Sequence, residues 1–328
     1  MNDVVCFGEI LWDIFERRGH GSRRPHRAAG SSFQRELGGA PANVATGLAR
    51  LGKRAAVVGG VGRDRFGDEL RLQLRADGVD VRFVQRLPNR TGLTFVMRDD
   101  KGEPDFLFYR HESADLAIRA EHVTGAMGRA RWVLVGTSTL MTPELARATD
   151  RFLDVGQNAG AAIFVDLNVR PHLWSDRTAM RTAIAALVAR AALVKASDAD
   201  LRAVGGARGG IRWLRQHAPG ATWLVTRGAG PASAIGPHGD VSMPALRARC
   251  VDATGAGDAF IAGSLATLLT ARAQPGSGAW ADADLWRSAL RVGHMMGKKA
   301  VSRPGAVAGL VRLVRPLAAL DVVRRRFR

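Results

Sequence analysis

Short apolar runs alternate along this chain with longer stretches in which apolar positions recur every three or four residues. The runs are "DVVCFG" (3–8), "AAVVGG" (55–60), "RWVLVG" (131–136), "AAIFVD" (161–166), "AALVKA" (191–196) and "TWLVTRG" (222–228). Each is almost continuously apolar, and several end on Gly or a polar residue, as strands buried on both faces do. Between them, stretches such as "APANVATGLARLG" (40–52) and "PELARATDRFLDVG" (143–156) carry the helical period. The alternation predicts an α/β fold: a doubly wound, mostly parallel sheet with helices on both faces.

Two regions depart from this rhythm. Residues 11–37 and 91–111 hold short polar–apolar alternations, as in "TGLTFVMRDDKGEPDFLFYR" (91–110), where "DDKGEPD" reads as a hairpin turn. They are expected to pair into one small antiparallel β-sheet, a lid beside the strand ends where open α/β sheets take ligands. The predicted organisation is an α/β domain of residues 1–10, 38–90 and 112–328, with the lid formed by 11–37 and 91–111. "RAQPGSGAWADAD" (272–284) reads as a loop, and apolar Cys250 and Val251 read as the end of a further strand.

Composition narrows the setting. No apolar stretch approaches the length of a membrane span. The start, "MNDVVCFGEILWDIFE", carries acids and no basic lead-in, so it reads as a strand rather than a signal peptide. Two cysteines, Cys6 and Cys250, are too few for a disulfide framework or a zinc site. A cytoplasmic protein without membrane partners is expected. The net charge of +18 raises the question of a polyanionic partner, but only five of the 48 basic side chains are Lys, and the Arg is scattered. That pattern reads as solvated surface charge, with small clusters at Arg23-Arg24 and Arg324–Arg326 as candidates for nonspecific anion binding. No aromatic-rich basic motif points to specific nucleic-acid binding.

Familiar phosphate loops are absent. "GVGRDR" and "GAGDAF" lack the third Gly of a dinucleotide fingerprint, and "GHMMGKKA" (293–300) is one residue short of a P-loop and reads as a helix with a basic turn. The informative stretch is "CVDATGAGDAFIAG" (250–263). Gly255, Ala256 and Gly257 let the backbone turn tightly ahead of a helix, so that unpaired N–H groups form an anion pocket. Asp258, within one turn of it, is placed either to accept a proton from a hydroxyl nucleophile attacking phosphorus or merely to cap the helix.

"DATGAGDAFIAG" (252–263) resembles the C-terminal signature of the ribokinase-like carbohydrate kinases, the PfkB family. "GGAPANVATGLARLG" (38–52) and "GGVGRDRFGD" (59–68) resemble its N-terminal signature. The likeness continues in order through "DLNVRPHLW" (166–174), "VTRGAG" (225–230) and "SRPGA" (302–306). With "GEILWD" and "FYRHESADL" it is closest to bacterial fructokinases.

The resemblance implies an ATP- and Mg²⁺-dependent sugar kinase with Asp258 as base and the Gly255–Gly257 turn as anion pocket. It implies sugar contacts from Asp13, Gly38, Gly39, Asn43 and Arg110, with Asn168 and Arg170 facing the sugar or the γ-phosphate. On the nucleotide side it implies Lys195, Thr226, Gly228 and His294. A lone Lys at a strand end is otherwise a solvated charge, and a helical His a packed one. Asp200 stands where the family's N-x-x-E motif has its Glu, which helps hold the magnesium waters. Asp252 and Thr254 match residues that hold a monovalent cation such as K⁺ in many relatives, and Ala253 replaces a common Thr. Fructose is the expected acceptor. The alternatives are 2-keto-3-deoxygluconate, whose carboxylate would want Arg110 or Arg170, and a noncatalytic sugar- or nucleic-acid-binding protein. A homodimer through the lid is the expected assembly.

Overall fold

The computed structural model describes residues 1–17, 32–98, 104–237, 239–310 and 318–327. In chain order the elements are β1 (Asn2–Phe7), β2 (Leu11–Arg17), β3 (Ser32–Gly38), α1 (Ala40–Arg50), β4 (Ala55–Gly62), α2 (Arg65–Ala76), β5 (Val84–Leu87), β6 (Leu93–Arg98) and β7 (Pro104–Tyr109). The remainder are β8 (Ala130–Gly136), α3 (Pro143–Asn158), β9 (Ala162–Asp166), α4 (Arg177–Val188), β10 (Leu193–Ser197), α5 (Asp198–His217), β11 (Thr222–Thr226), β12 (Ala232–Gly236), β13 (Gly239–Met243), α6 (Ala256–Thr270), α7 (Ala283–Ala300) and α8 (Ala318–Arg326).

Among the described residues, nine strands form one sheet in the order β13-β12-β11-β10-β9-β8-β1-β4-β5. All six apolar runs lie in its parallel part, and β12 and β13 add an antiparallel edge. Central strands such as Val4–Phe7 and Val133–Val135 bury almost every side chain because helices cover both faces. One face packs against α1, α2, α6, α7 and α8, the other against α3, α4 and α5. Strands β5 and β13 escape a search for apolar runs because they alternate buried and exposed positions.

The chain runs outward from β1 to β4 and β5, then restarts at β8 and runs the other way to β11. Strand order therefore reverses between β1 and β8. Beyond the carboxyl ends at that reversal, an open α/β sheet leaves a crevice for a ligand.

Residues 11–17, 32–38, 93–98 and 104–109 form a separate four-stranded sheet, β3-β2-β6-β7, beside this crevice. Its two hairpins are antiparallel as expected, but they join through β2 and β6 running parallel, so the sheet is mixed. The reason is the main sheet: β2 and β6 follow β1 and β5, which run in the same direction. The turn over 99–103 and the basic stretch 18–31 lie outside the described residues. A second expectation also fails. Cys250 and Val251 form no strand and are exposed, since two apolar residues ahead of a glycine turn have no sheet edge to join.

Candidate active site

The glycine turn opens α6 at the carboxyl edge of the sheet. Gly255, the N-cap, has φ 74°, and a β-carbon there would come within 2.4 Å of the Ala306 side chain, so only Gly fits. The Ala256 amide is taken by the Ala253 carbonyl at 3.2 Å. The first-turn amides of Gly257 and Asp258, which have no intrahelical acceptor, are left for an incoming anion. The approach to the turn is anchored by Asp252. Its Oδ1 accepts from the Thr254 amide and hydroxyl (2.9 and 2.7 Å), and its Oδ2 from the Gly305 amide (2.9 Å).

Asp258 sits at the third helical position and caps nothing. Its Oδ2 accepts a 2.9 Å hydrogen bond from Asn43 Nδ2, joining the first turn of α6 to the first turn of α1 across 215 residues of sequence. Burial first, then the nearby Asp166 carboxylate, raises Asp258 to about 7, while the Asn43 bond and Lys195 hold it down. A carboxylate poised there is suited to general-base work near neutral pH. The Asn43 Oδ1 is buried and meets no donor among the described residues. A buried acceptor in that condition is what a ligand hydroxyl satisfies.

Asp13, on β2, faces the same space. Gly38, paired with Leu11, lies diagonally across from it, and a β-carbon at Gly38 would fall 2.5–2.6 Å from the atoms of its carboxyl group. Gly39, with φ 97°, turns the chain from lid strand into α1 against the Glu9 backbone. Burial, then the Asp258, Glu9 and Asp252 carboxylates, raises Asp13 to about 7 against the pull of Arg110.

Arg110 is buried at the end of β7 and grips Asp115 Oδ2 through Nε (2.8 Å) and Nη2 (2.5 Å). Much of its charge is thus met within the protein. Asn168 adopts φ 35° in the loop after β9 and lines the same crevice as Glu9 and Ser138. Arg170 is half-buried, donates to the Asn168 and Val169 carbonyls, and lies within electrostatic reach of Asp166. From above, Phe108 of the lid stacks on His172 of the same loop, with ring centres 5.7 Å apart.

Lys195 is no solvated cation. It is 5% exposed, its Nζ lies 3.3 Å from Asp166 Oδ1, and that Nζ would be 3.2 Å from a β-carbon on Gly257. Burial alone would lower its ammonium. The carboxylates of Asp166, Asp200 and Asp258 outweigh burial and raise it. Lys195 therefore stands as a fixed positive charge beside the anion pocket.

Asp200 is committed to the protein. Its Oδ1 accepts from the Val169 amide, and its Oδ2 from the Ser197 amide and hydroxyl, each at 2.7 Å. This capping box holds the start of α5 to the loop carrying Asn168 and Arg170. Thr226 ends β11 next to Ser197, and Gly228 turns with φ 54°. His294 lies on α7, with Nε2 3.2 Å from the Met243 carbonyl and its ring against Phe260, and burial lowers its pKa.

Sequence reasoning passed over Glu9, Ser138 and Asp166 as site residues. Glu9 accepts from Ser138 Oγ (2.6 Å) and the Ala40 amide (3.3 Å), pinning α1 to the sheet edge. The available signal was position: Glu9 directly follows the Gly after β1, and Asp166 ends β9.

A buried carboxylate, an anion pocket and a fixed cation at one sheet edge can together accept a hydroxyl proton and receive a phosphoryl group. The chain is 32% identical over 327 residues to fructokinase-1 of Oryza sativa subsp. japonica, covering 97% of each chain. It superposes on the fructokinase from Xylella fastidiosa with bound ATP at a TM-score of 0.82, with 29% identity and 99% of each chain covered. It superposes on the fructokinase from Vibrio cholerae O395 in its fructose-, ADP- and calcium-bound form at 0.81, with 25% identity and 98% of each covered. Residues 1–312 match the profile of the pfkB family carbohydrate kinases, and the chain belongs to that family.

Proposed function

We propose that this carbohydrate kinase transfers the γ-phosphoryl group of ATP to a primary hydroxyl of fructose. The observation that carries the reading is the buried Asp258 carboxylate, held by Asn43 at the mouth of the glycine turn. In this mechanism Asp258 takes the proton of the sugar hydroxyl as that oxygen attacks the γ-phosphorus. The new O–P bond forms as the bond to the β-phosphate oxygen breaks, and ADP leaves. The Gly257 and Asp258 amides and Lys195 stabilise charge on the transferring group. With the lid over the site, water is kept from competing with the sugar.

Magnesium would enter with the nucleotide phosphates. Among the described residues no three His, Cys, Asp or Glu side chains converge as a cage. Asp166, a buried carboxylate facing the anion pocket, suits a partner for the ion's water ligands. The ion would neutralise phosphate charge. Both oxygens of Asp200 are engaged, so its part is to position the 167–170 loop. Both oxygens of Asp252 are likewise engaged, by Thr254 and Gly305, so a monovalent cation beside Asp252 and Thr254, which we still propose, would be met by lone pairs that these bonds leave over.

Charge in the sugar space supports a neutral acceptor over a sugar acid. Glu9, Asp13 and Asp258 line it, and Arg110, the cation that acts on Asp13, is already paired with Asp115. A substrate carboxylate would meet like charge in a desolvated site, whereas neutral hydroxyls can donate to all three acids. A sugar panel read by ADP release tests this. Fructose should be phosphorylated with kcat/KM at least about tenfold above 2-keto-3-deoxygluconate, ribose and glucose. Preference for the sugar acid would overturn the assignment.

The outer face of the lid supports a dimer of this chain. Phe33, Leu107 and Tyr109 are 55%, 46% and 60% exposed, and Phe33 and Tyr109 meet edge-on through Phe95. A contiguous exposed aromatic patch marks an interaction surface. Sedimentation should give a dimer for the native chain and a monomer for Phe33→Ser/Tyr109→Ser; an unchanged mass for the variant would exclude this face.

A further inference from the structure

At the opposite edge of the sheet, near the amino ends of β1, β4 and β8, lies a cavity of about 440 Å³. Its lining includes Lys53, Arg131, Thr270, Arg272, Arg324 and Phe327. The four cations come from separate places in the chain: the turn after α1, the start of β8, the turn after α6, and α8. Two are partly explained by the end of α6. Arg131 Nη1 donates to the Leu269 carbonyl (3.2 Å) and Lys53 Nζ to Thr270 Oγ1 (2.7 Å), closing a helix C-terminus that favours positive charge.

The other two, Arg272 and Arg324, complete the wall from its solvent side. Among the described residues no carboxylate lies within ion-pair distance of any of the four. Asp3, the acid that acts on Lys53 and Arg131, is held by Arg54 at 3.0 Å. Arg272 and Arg324 are exposed at the cavity wall, and among the described residues neither has an ion-pair partner. Lys53 and Arg131 are shifted chiefly by their own burial, with a smaller push from the neighbouring cations. Burial, then Arg324 and Arg131, lowers Lys53 to about 8 against the pull of Asp3. Burial, then Arg272, lowers Arg131, again against Asp3. The fold thus places four cations on one cavity wall with no carboxylate at ion-pair distance among the described residues, which leaves them available to a bound anion.

We propose that this cavity binds a small anion carrying two phosphate groups. Two phosphates bring the charge that four cations neutralise, and guanidinium forks match phosphate oxygens in pairs. The volume suits a small ligand and exceeds what a lone phosphate fills. The α6 helix separates the cavity from the glycine turn by about 22 Å, at 1.5 Å per residue over its length, so this is not the nucleotide's phosphate pocket. Pyrophosphate and a sugar bisphosphate share the required chemistry.

The test uses the full chain with its active site occupied by excess non-hydrolysable ATP analogue. Inorganic pyrophosphate and a hexose bisphosphate are titrated separately by calorimetry, and Tm is followed. At least one should bind with a Kd below about 1 mM and raise Tm. The Arg272→Ala/Arg324→Ala double variant should bind it at least about tenfold more weakly and lose the Tm rise, with sugar phosphorylation unchanged. The tighter of the two ligands identifies the source. No saturable binding, or equal affinity in the double variant, would overturn the proposal. So would a short single-stranded RNA that binds more tightly through the same two arginines, since that makes the face a nucleic-acid surface.

Discussion

Replacing Asp258 by Asn should lower turnover by roughly 10²–10⁴-fold, the usual worth of a general base, and leave sugar affinity within about threefold. Asn is isosteric and keeps an acceptor for Asn43 Nδ2, so the contact between α1 and α6 survives while the proton acceptor is lost. The change should therefore fall on kcat rather than KM. The pH profile adds an independent signature. Burial and Asp166 raise Asp258 to about 7, and burial and Asp258 raise Asp13 to about 7. Below that pH the carboxyl is protonated and cannot accept the hydroxyl proton, so kcat/KM falls as pH drops through 7. Because the two acids feel each other, the acidic limb belongs to the pair. In the Asn variant the residual limb should move to lower pH, since Asp13 no longer faces a neighbouring charge. Near-normal turnover in this variant would remove Asp258 from the chemistry.

The Lys195→Met variant should lose both stability and turnover. Lys195 and Asp166 are 5% and 2% exposed, so removing the cation leaves a carboxylate buried without its partner. Breaking one side of a buried pair costs about 3–5 kcal/mol. Asp166, already raised by burial and held down chiefly by Lys195, would rise further and take up a proton on folding. The loss should accordingly be greatest at high pH, where the unfolded chain leaves this carboxyl ionised. Turnover should fall about 10²-fold through the missing charge at the anion pocket. The double variant Lys195→Met/Asp166→Asn separates the two effects. Denaturation should recover most of the stability, because Asp166 no longer leaves a charge buried without its ion-pair partner, while turnover stays low. A double variant that regained full activity would confine Lys195 to a structural role.

The legible part of this protein was the part governed by local pattern. Val4–Phe7, Val133–Val135 and their counterparts show continuous apolar runs because helices cover both faces, and such runs survive as a one-dimensional signal. Edge strands β5 and β13 do not, because one side of each is open to solvent and their apolar positions are interrupted. The glycine turn was readable because a left-handed N-cap demands a residue type, and only Gly at 255 satisfies it without striking Ala306. The Cys250–Val251 expectation failed for the complementary reason: two apolar residues carry too little pattern to distinguish a strand from an extended approach.

Site chemistry divided in the same way. The positions of Asp258, Asn43 and Asp13 could be named from their motifs, but a motif does not state what a side chain is bonded to. Burial turned Lys195 from a surface charge into a fixed cation, and two hydrogen-bonded oxygens turned Asp200 into a positioning residue. Glu9 and Asp166 were passed over because their one local signal, an acid at a strand end, does not distinguish a site residue from a solvated one.

What the sequence determined alone was therefore the alternation of strands and helices, the turn that opens α6, and the identity of the acid behind it, since each depends on residues within a few positions of one another. The tertiary structure alone decided the parallel join within the lid, the Asn43–Asp258 bond across 215 residues, and the raised protonation of Asp13 and Asp258. It also decided the gathering of Lys53, Arg131, Arg272 and Arg324 at the far edge of the sheet. Those features depend on desolvation and on charges brought within a few ångströms by chain reversal, and neither quantity exists until the sheet and its helices have closed on one another.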